Sequence, residues 1–420
     1  MTNHSPSVCF YFQVHQPYRL RDLRITEIGE TDESVFDDAL NRKVFRKVAE
    51  KCYLPANALL LRTLKAHPEF RIAYSLSGTF LDQCVEYGDD VLDSFRALAK
   101  TGQVEFLGET YYHSLSALFS LREFTAQVRK HSEAIVKFFG QTPKVFRNTE
   151  LIYSNEIAQV ARLMGFSGIL AEGADHVLGN RTPTTPYVPA RFTAPASWSK
   201  IIAKERLAKK PAAQSIALLK HYRLSDDIAF RFSNRAWESH PLSADTFAQW
   251  VKDTGGFSVN LFMDYETFGE HQWADSGIFQ FLEHLPRAFK AAGIETRTPS
   301  ETIKAWGKRE TPVLDAHVPF SWADMERDLS AWRGNHLQEA AIGGIYALEK
   351  AVRATNDPAI LELWRRLQTS DHFYYLCTKY WSDGDVHKYF SPYESPYEAY
   401  RRYSHALEDL RHRLRVSSAA

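Results

Sequence analysis

Residues 261–272 read LFMDYETFGEHQ: an apolar run that stops at Asp264, meets Glu266 two residues on, and then passes through Gly269, Glu270 and His271. Ionised groups are costly to bury without partners, so three acids, a glycine and a histidine at the end of a strand are hard to justify as packing. The same grammar recurs upstream. VFRNTELIYSNE (145–156) ends a strand at Glu150, VEFLGETYYHSL (104–115) offers Glu105, Glu109, Tyr111 and His113, and FQVHQPYRL (12–20) offers Gln13, His15 and Gln16.

Working outward, seven runs read as strands: Val8–Val14, Arg71–Leu76, Gln103–Leu107, Lys144–Phe146, Ser167–Leu170, Ile216–Tyr222 and Ser258–Met263, with an eighth expected near Thr296. Amphipathic stretches such as 122–139 and 154–164 lie between them, each closed by a glycine, Gly140 or Gly165, suited to a C-cap. Strands alternating with helices imply an α/β fold with a mostly parallel sheet. In a parallel barrel all strand C-termini open on one face. His15, Ser77, Gly108, Glu109, Glu150, Glu172, Arg223 and Asp264 each follow a strand, so one cleft can collect them.

The segment 177–213 breaks this rhythm with Pro183, Pro186, Pro189, Pro195 and Pro211 and reads as a long loop excursion. Beyond about residue 310 the period becomes helical. Leu337, Ala341, Ile345 and Leu348 form one stripe, Ile360, Trp364 and Leu367 a second, and Tyr400, Tyr403, Leu407, Leu410 and Leu414 a third. The expected organisation is a catalytic barrel over 1–305 and a helical domain over 306–420 packed on it and contributing to the cleft.

The chain has 420 residues, 51 Lys+Arg against 51 Asp+Glu, 44% hydrophobic and 24% charged residues. Neutrality removes the electrostatic footprint of a nucleic-acid or anionic-membrane binder. With no spanning run and no secretory leader pattern in MTNHSPSVCFYFQV, the expected location is the cytoplasm. Cys9, Cys52, Cys84 and Cys377 form no CxxC pair, and buried reduced thiols are expected. No cofactor and no metal is expected. Aromatic residues make up 13% of the chain, with 9 Trp and 20 Tyr; they are core material first, but flat rings also stack on sugar faces.

Two carboxylates on separate strands are what glycoside hydrolysis requires, one to attack the anomeric carbon or activate water and one to protonate the leaving oxygen. Glu150 alone has a rival reading as a helix-start acid; together with Asp264 it favours that chemistry. At HQPYR (15–19), GQVEFLGETYYHSL (102–115), FRNTE (146–150) and MDYETFGEH (263–271) the chain resembles glycoside hydrolase family 57. HYRLSDDIAFRFS (221–233), SWADMERDLSAWRGN (321–335) and QTSDHFYYLCTKYWSDGDVHKYFSPY (368–393) resemble its shorter α-amylase-type members.

The resemblance implies an incomplete (β/α)7 barrel followed by a helical region. It also implies retaining cleavage of α-1,4-glucans, with Glu150 as nucleophile and Asp264 as general acid/base. His15, Glu109, His113 and Asp371 become substrate-binding candidates, with Trp273, Trp322, Trp332 and Tyr375 as candidate sugar platforms. The chain departs from the family at Gln13, where many members carry a second histidine, and at Arg147, Asn148 and Thr149, where a tryptophan and a proline are common.

Three alternatives keep part of this reading: transfer to a sugar acceptor by a 4-α-glucanotransferase or branching enzyme, a non-catalytic glucan-binding protein, and a metal-dependent polysaccharide deacetylase. The last would need clustered ligands. None of the 16 histidines is four residues from another, and there is no HxH or HExxH.

Overall fold

The structure, a computed structural model, describes residues 5–30, 34–208, 210–379 and 386–419. Residues 380–385 of the 368–393 motif lie outside the described residues. The strands are β1 (Ser7–Val14), β2 (Ile72–Leu76), β3 (Val104–Phe106), β4 (Val145–Arg147), β5 (Gly168–Glu172), β6 (Val188–Pro189), β7 (Ile216–Lys220), β8 (Ser258–Asp264) and β9 (Val313–Leu314). Seven of them form one parallel sheet in the order β3-β2-β1-β8-β7-β5-β4. β6 pairs only with β9.

The sheet curls until its two edges meet. Gly108, just after β3, donates its N–H to Val145 O (3.0 Å) and accepts from Arg147 N (2.8 Å), tying β3 to β4. A Cβ at Gly108 would lie 2.7 Å from the Phe166 ring, so any larger residue at this seam has to displace that ring. The expected eighth strand is reduced to a single bridge between Val8 and Thr296, because Pro299 starts a helix directly afterwards.

β1 is buried along all its length, as a central strand covered on both faces should be. Its residues alternate between two environments. Val8, Phe10, Phe12 and Val14 pack under the outer helices, while Cys9 and Tyr11 face the barrel interior with Ala73, Leu107, Val145, Leu170, Leu218 and Phe262. Trp306 belongs to this inner cluster, at the end of the helix Pro299–Trp306. Glu105 joins that helix too: its carboxylate accepts from the Ser300 N–H (2.9 Å) and hydroxyl, so it caps the helix rather than serving the cleft.

Continuing the inner series by the strand period of two brings Gln13, Ser75, Glu109, Arg147, Glu172, Lys220 and Asp264 to the C-terminal mouth. The barrel is thus apolar in the middle and polar at one end. The helices between strands follow their sequence signals. Leu121–Phe139 and Asn155–Met164 start at Ser120 and Ser154, whose hydroxyls accept the N3 amide, and end at left-handed Gly140 and Gly165. The proline-rich excursion is not all loop: Ala196–Glu205 is helical, with Ile202 buried.

The three C-terminal stripes fall on the helices His336–Ala347, Pro358–Arg366 and Pro396–Ala419. They share one core with the barrel helix Leu121–Phe139: Phe124 and Val128 pack in the same cluster as Trp364, Leu367 and Tyr403. A buried Glu123 on that helix accepts from Arg365 (2.8 Å) and Arg353 (2.5 Å) across the junction. Next to it, residues 369–370 dock on 112–114 through Ser370 N to His113 O (2.9 Å) and Thr369 Oγ1 to Tyr112 O (3.0 Å).

Overpacking a close-packed seam typically costs about 1–3 kcal/mol. Gly108→Ala is expected to lower stability by about that amount in calorimetric unfolding, and Phe166→Leu added to it to recover part of the loss; an unchanged midpoint in Gly108→Ala would show that the seam yields freely.

Candidate active site

The polar mouth opens into a cleft of about 800 Å³ whose lining includes Gln13, His15, His113, Arg147, Glu150, Lys220, Asp264, Glu266, Trp322, Asp371 and Tyr375. Seven of the ten sequence candidates therefore share it: His15, His113, Glu150, Asp264, Trp322, Asp371 and Tyr375. Glu109 lies one layer deeper, fully buried beneath His113. Two tryptophans are elsewhere. Trp332 is 1% exposed in the core of the helical region, and Trp273 is 63% exposed beside Lys51 and does not line the cleft. Arg223, another strand-end residue, points outward to Asp175.

Glu150 follows β4 in a short turn whose backbone is left-handed at Glu150 (φ 56°) and Leu151 (φ 51°). His113 shares that conformation (φ 49°). Non-glycine residues held there cost about 1–3 kcal/mol each and persist only where the surroundings over-determine them. Here they do. The His113 ring bridges two carboxylates, Nδ1 to Glu109 Oε2 (3.1 Å) and Nε2 to Glu150 Oε1 (3.0 Å). The Trp322 indole N–H donates to Glu150 Oε2 (2.7 Å), its backbone N–H to Glu150 O (3.3 Å), and the Ser370 hydroxyl lies 3.4 Å from Glu150 Oε1.

Charge follows from these contacts. Burial opposes a cation at His113, yet the hydrogen bonds to Glu109 and Glu150 prevail and raise its pKa to about 9. Burial opposes an anion at Glu109, yet His113, His131 and Arg147 bring it down to about 2. Glu150 follows the same logic: against burial, the hydrogen bond and charge of His113, the Arg147 charge and the Trp322 N–H hold it below the usual range. Asp264 goes the other way. Burial and the neighbouring negative Glu150 raise it to about 6, with Arg147, Lys220 and His113 opposing.

His15 stacks on His113 with centroids 4.1 Å apart. Burial and the His113 charge lower its pKa, with the charge and hydrogen bond of Asp371 opposing. Its Nε2 meets Asp371 Oδ2 at 2.9 Å and its Nδ1 the Ser77 hydroxyl at 2.7 Å. Asp371 stays ionised against burial through the charge and hydrogen bond of His15 and the charge of His113. Gln13 sits below: it donates towards Glu109 (3.4 Å) and accepts from Tyr11 OH (2.5 Å). Glu266 is raised to about 8 by burial and by Asp264, and accepts the Tyr53 hydroxyl.

Ser370, Arg147 and Lys220 are site residues that the sequence reading does not single out. The inward parity of the strands would have pointed to Arg147 and Lys220. Among the described residues no group of three or more His, Cys, Asp or Glu side chains is arranged to hold a metal, and no helix is long and apolar enough to cross a membrane.

The glycosyl hydrolase family 57 model matches residues 9–315, most of the chain and all seven sheet strands but the first residues of β1. The chain belongs to this family. As a family 57 member it is 40% identical, over 97% of its length and 85% of the other protein, to a putative alpha-amylase of Methanocaldococcus jannaschii.

Solved structures share the fold at low identity. The branching enzyme from Pyrococcus horikoshii superposes with a TM-score of 0.62 at 15% identity, covering 91% of this chain and 87% of that one. The 4-alpha-glucanotransferase from Thermococcus litoralis gives 0.60 at 16% identity and 88% of this chain, which spans 56% of that structure. The alpha-amylase AmyC from Thermotoga maritima gives 0.56 at 14% identity over 99% and 94%.

The electrostatic arrangement has a direct spectroscopic consequence. In 15N NMR of histidine-labelled protein, the His113 imidazole, assigned by its loss in His113→Gln, is expected to stay protonated through neutrality and to titrate near pH 9. A His113 signal titrating at or below the ordinary histidine range of about 6.5 would contradict the Glu109–His113–Glu150 bridge.

Proposed function

We propose that the protein hydrolyses α-1,4-linked glucans by retaining double displacement, with Glu150 as nucleophile and Asp264 as general acid/base. The observation that carries this reading is the divergence of two carboxyls in one cleft: Glu150 is held ionised while Asp264 is raised to about 6. Pairs of titratable groups with proton affinities pushed apart mark the acid and base roles. The α-glucan substrate is supported by the relatives, described as amylase, branching enzyme and glucanotransferase.

In this mechanism Glu150 attacks the anomeric carbon while Asp264 gives its proton to the departing glycosidic oxygen. The C–O bond breaks, the shortened chain leaves as an alcohol, and the sugar is esterified to Glu150. Esterification removes the negative charge that had raised Asp264, so its proton affinity falls and, having given up its proton, it stays a carboxylate, the form that takes a proton from the attacking water. That water attacks the same carbon, restoring the starting configuration and freeing Glu150. His113, His15 and Asp371 frame the cleaved residue, and Trp322 and Tyr375 flank it. A sugar hydroxyl in place of water would give transfer instead, so product analysis separates the two outcomes.

We read the chain as two units, a barrel over 1–305 and a helical unit over 306–420 that completes the site with Trp322, Ser370 and Asp371. The buried free thiols of Cys9, Cys52, Cys84 and Cys377 suit a reducing cytoplasm.

Glu150→Gln and Asp264→Asn are each expected to cut turnover on maltooligosaccharides by about 10² to 10⁴ with unchanged circular dichroism. Either variant keeping more than about a tenth of wild-type turnover would sink the assignment. Asp264 must enter the first step protonated, so kcat/KM should fall as pH rises through about 6, and that limb should disappear in Asp264→Asn. Proton NMR of fresh product should show the α-anomer first. Initial β-anomer would mean inversion.

A further inference from the structure

The Trp322 side chain is held by more than its bond to Glu150. The Arg147 guanidinium stands 5.0 Å from the indole centroid and the Lys220 ammonium 5.3 Å from it. Both cations are among the innermost groups of the cleft: Arg147 is fully buried and Lys220 6% exposed. Lys220 has ion partners in Asp226 (3.2 Å) and Glu172 (3.7 Å). Arg147 is different. None of its three guanidinium nitrogens has a hydrogen-bond partner among the described residues, and its nearest carboxylate, Glu109, is 3.9 Å away.

A buried guanidinium without hydrogen bonds is costly as packing. Its surroundings give it another use, since positive charge over a π face is attracted to the ring and draws electron density from it, making the indole N–H a stronger donor. That N–H ends on Glu150 Oε2. The loop carrying Trp322 is registered on the Glu150 turn by the antiparallel bridge of Tyr153 with Phe320 (2.9 and 3.1 Å) and by Trp322 N to Glu150 O. The indole therefore has a fixed backbone, two cations over its face and one acceptor.

We propose that Trp322 is a positioning residue for Glu150, aiming its carboxylate through the indole N–H, and that Arg147 and Lys220 are positioning residues that act on the indole, Arg147 acting on Glu150 by its own charge as well. This replaces a sugar-stacking role for Trp322 and gives a role to Arg147, where the chain departs from its family. It rests on Glu150 being the nucleophile. The other charged groups that bear on Glu150 are His113 with Glu109 behind it, and Asp264; His15 and Asp371 border them. His113 holds the opposite oxygen, so loss of Trp322 leaves Glu150 held on one side only.

Trp322→Phe keeps the ring and removes the N–H. Arg147→Met keeps the bulk and removes the charge, and Arg147→Lys returns the charge. Two measurements on the full chain separate the possibilities: the pH profile of kcat and KM on maltoheptaose, and the carboxyl titration of Glu150 in 13C-glutamate-labelled protein, assigned by its loss in Glu150→Gln. A hydrogen bond to a charged group accounts for about tenfold to a hundredfold.

Trp322→Phe is expected to lower kcat by about that factor with KM within about twofold, and to move both the acid limb and the Glu150 titration up by about one pH unit. Arg147→Met should shift both in the same direction by a smaller step, and Arg147→Lys should restore them. A Trp322→Phe variant with an unmoved Glu150 titration and a raised KM alone would overturn the proposal in favour of a sugar platform. Equal titrations in Arg147→Met and Arg147→Lys would remove Arg147 from it. If the wild-type chain cleaves no α-glucan, the functional reading falls, while the Glu150 titration still decides this one.

Discussion

The imidazole of His113, bonded at once to Glu109 and Glu150, is the contact on which the site depends. Three carboxyl groups, those of Glu109, Glu150 and Asp264, crowd the inner end of one cleft, and three anions there could not coexist in a low-dielectric interior. A cation between the first two makes both ionised states tenable. The remaining repulsion falls on Asp264, which keeps its proton to about pH 6. One interaction thus divides the carboxyls into an ionised member and a protonated one. Ionising them is also what holds left-handed His113 and Glu150 in place, since both ends of the strained backbone are tied by charge-assisted bonds.

The barrel supplies this contact through its period of two. Most inward residues near the middle of the strands are apolar, with Asn260 of β8 and Glu105 of β3 as polar exceptions, and the inward residue at the mouth is polar, giving Gln13, Ser75, Glu109, Arg147, Glu172, Lys220 and Asp264 around one ring. Ser75 and Gln13 complete the hydrogen bonding of Glu109 from below, with Ser75 Oγ at 2.6 Å. The helical region then closes the ring from above with Trp322, Ser370 and Asp371. Its docking through Glu123, Arg353 and Arg365 is therefore as much a determinant of the site as of stability.

Much of this is legible in the sequence, for identifiable reasons. Central parallel strands are buried on both faces and read as unbroken apolar runs, so their positions come through within a residue or two. Carboxylates and histidines at their ends are conspicuous because charge there needs explaining. Arg147 and Lys220 are harder to place, because a basic residue within or just past a strand run declares its direction only when strand parity is followed inward. Trp332 and Trp273 show the reverse error: ring type says nothing of direction, and one is sealed in the helical core while the other stands in solvent. The helix Ala196–Glu205 was hidden by the prolines around it.

The account stands or falls on the covalent role of Glu150. A fluorinated maltosyl fluoride that forms the glycosyl-enzyme faster than water releases it, followed by proteolysis and mass spectrometry, reads that role directly. The expected result is one added fluorinated maltosyl group per chain, on the peptide containing Glu150 and absent in Glu150→Gln. A label on another residue, or hydrolysis of the reagent without any adduct and with inverted product, would contradict it.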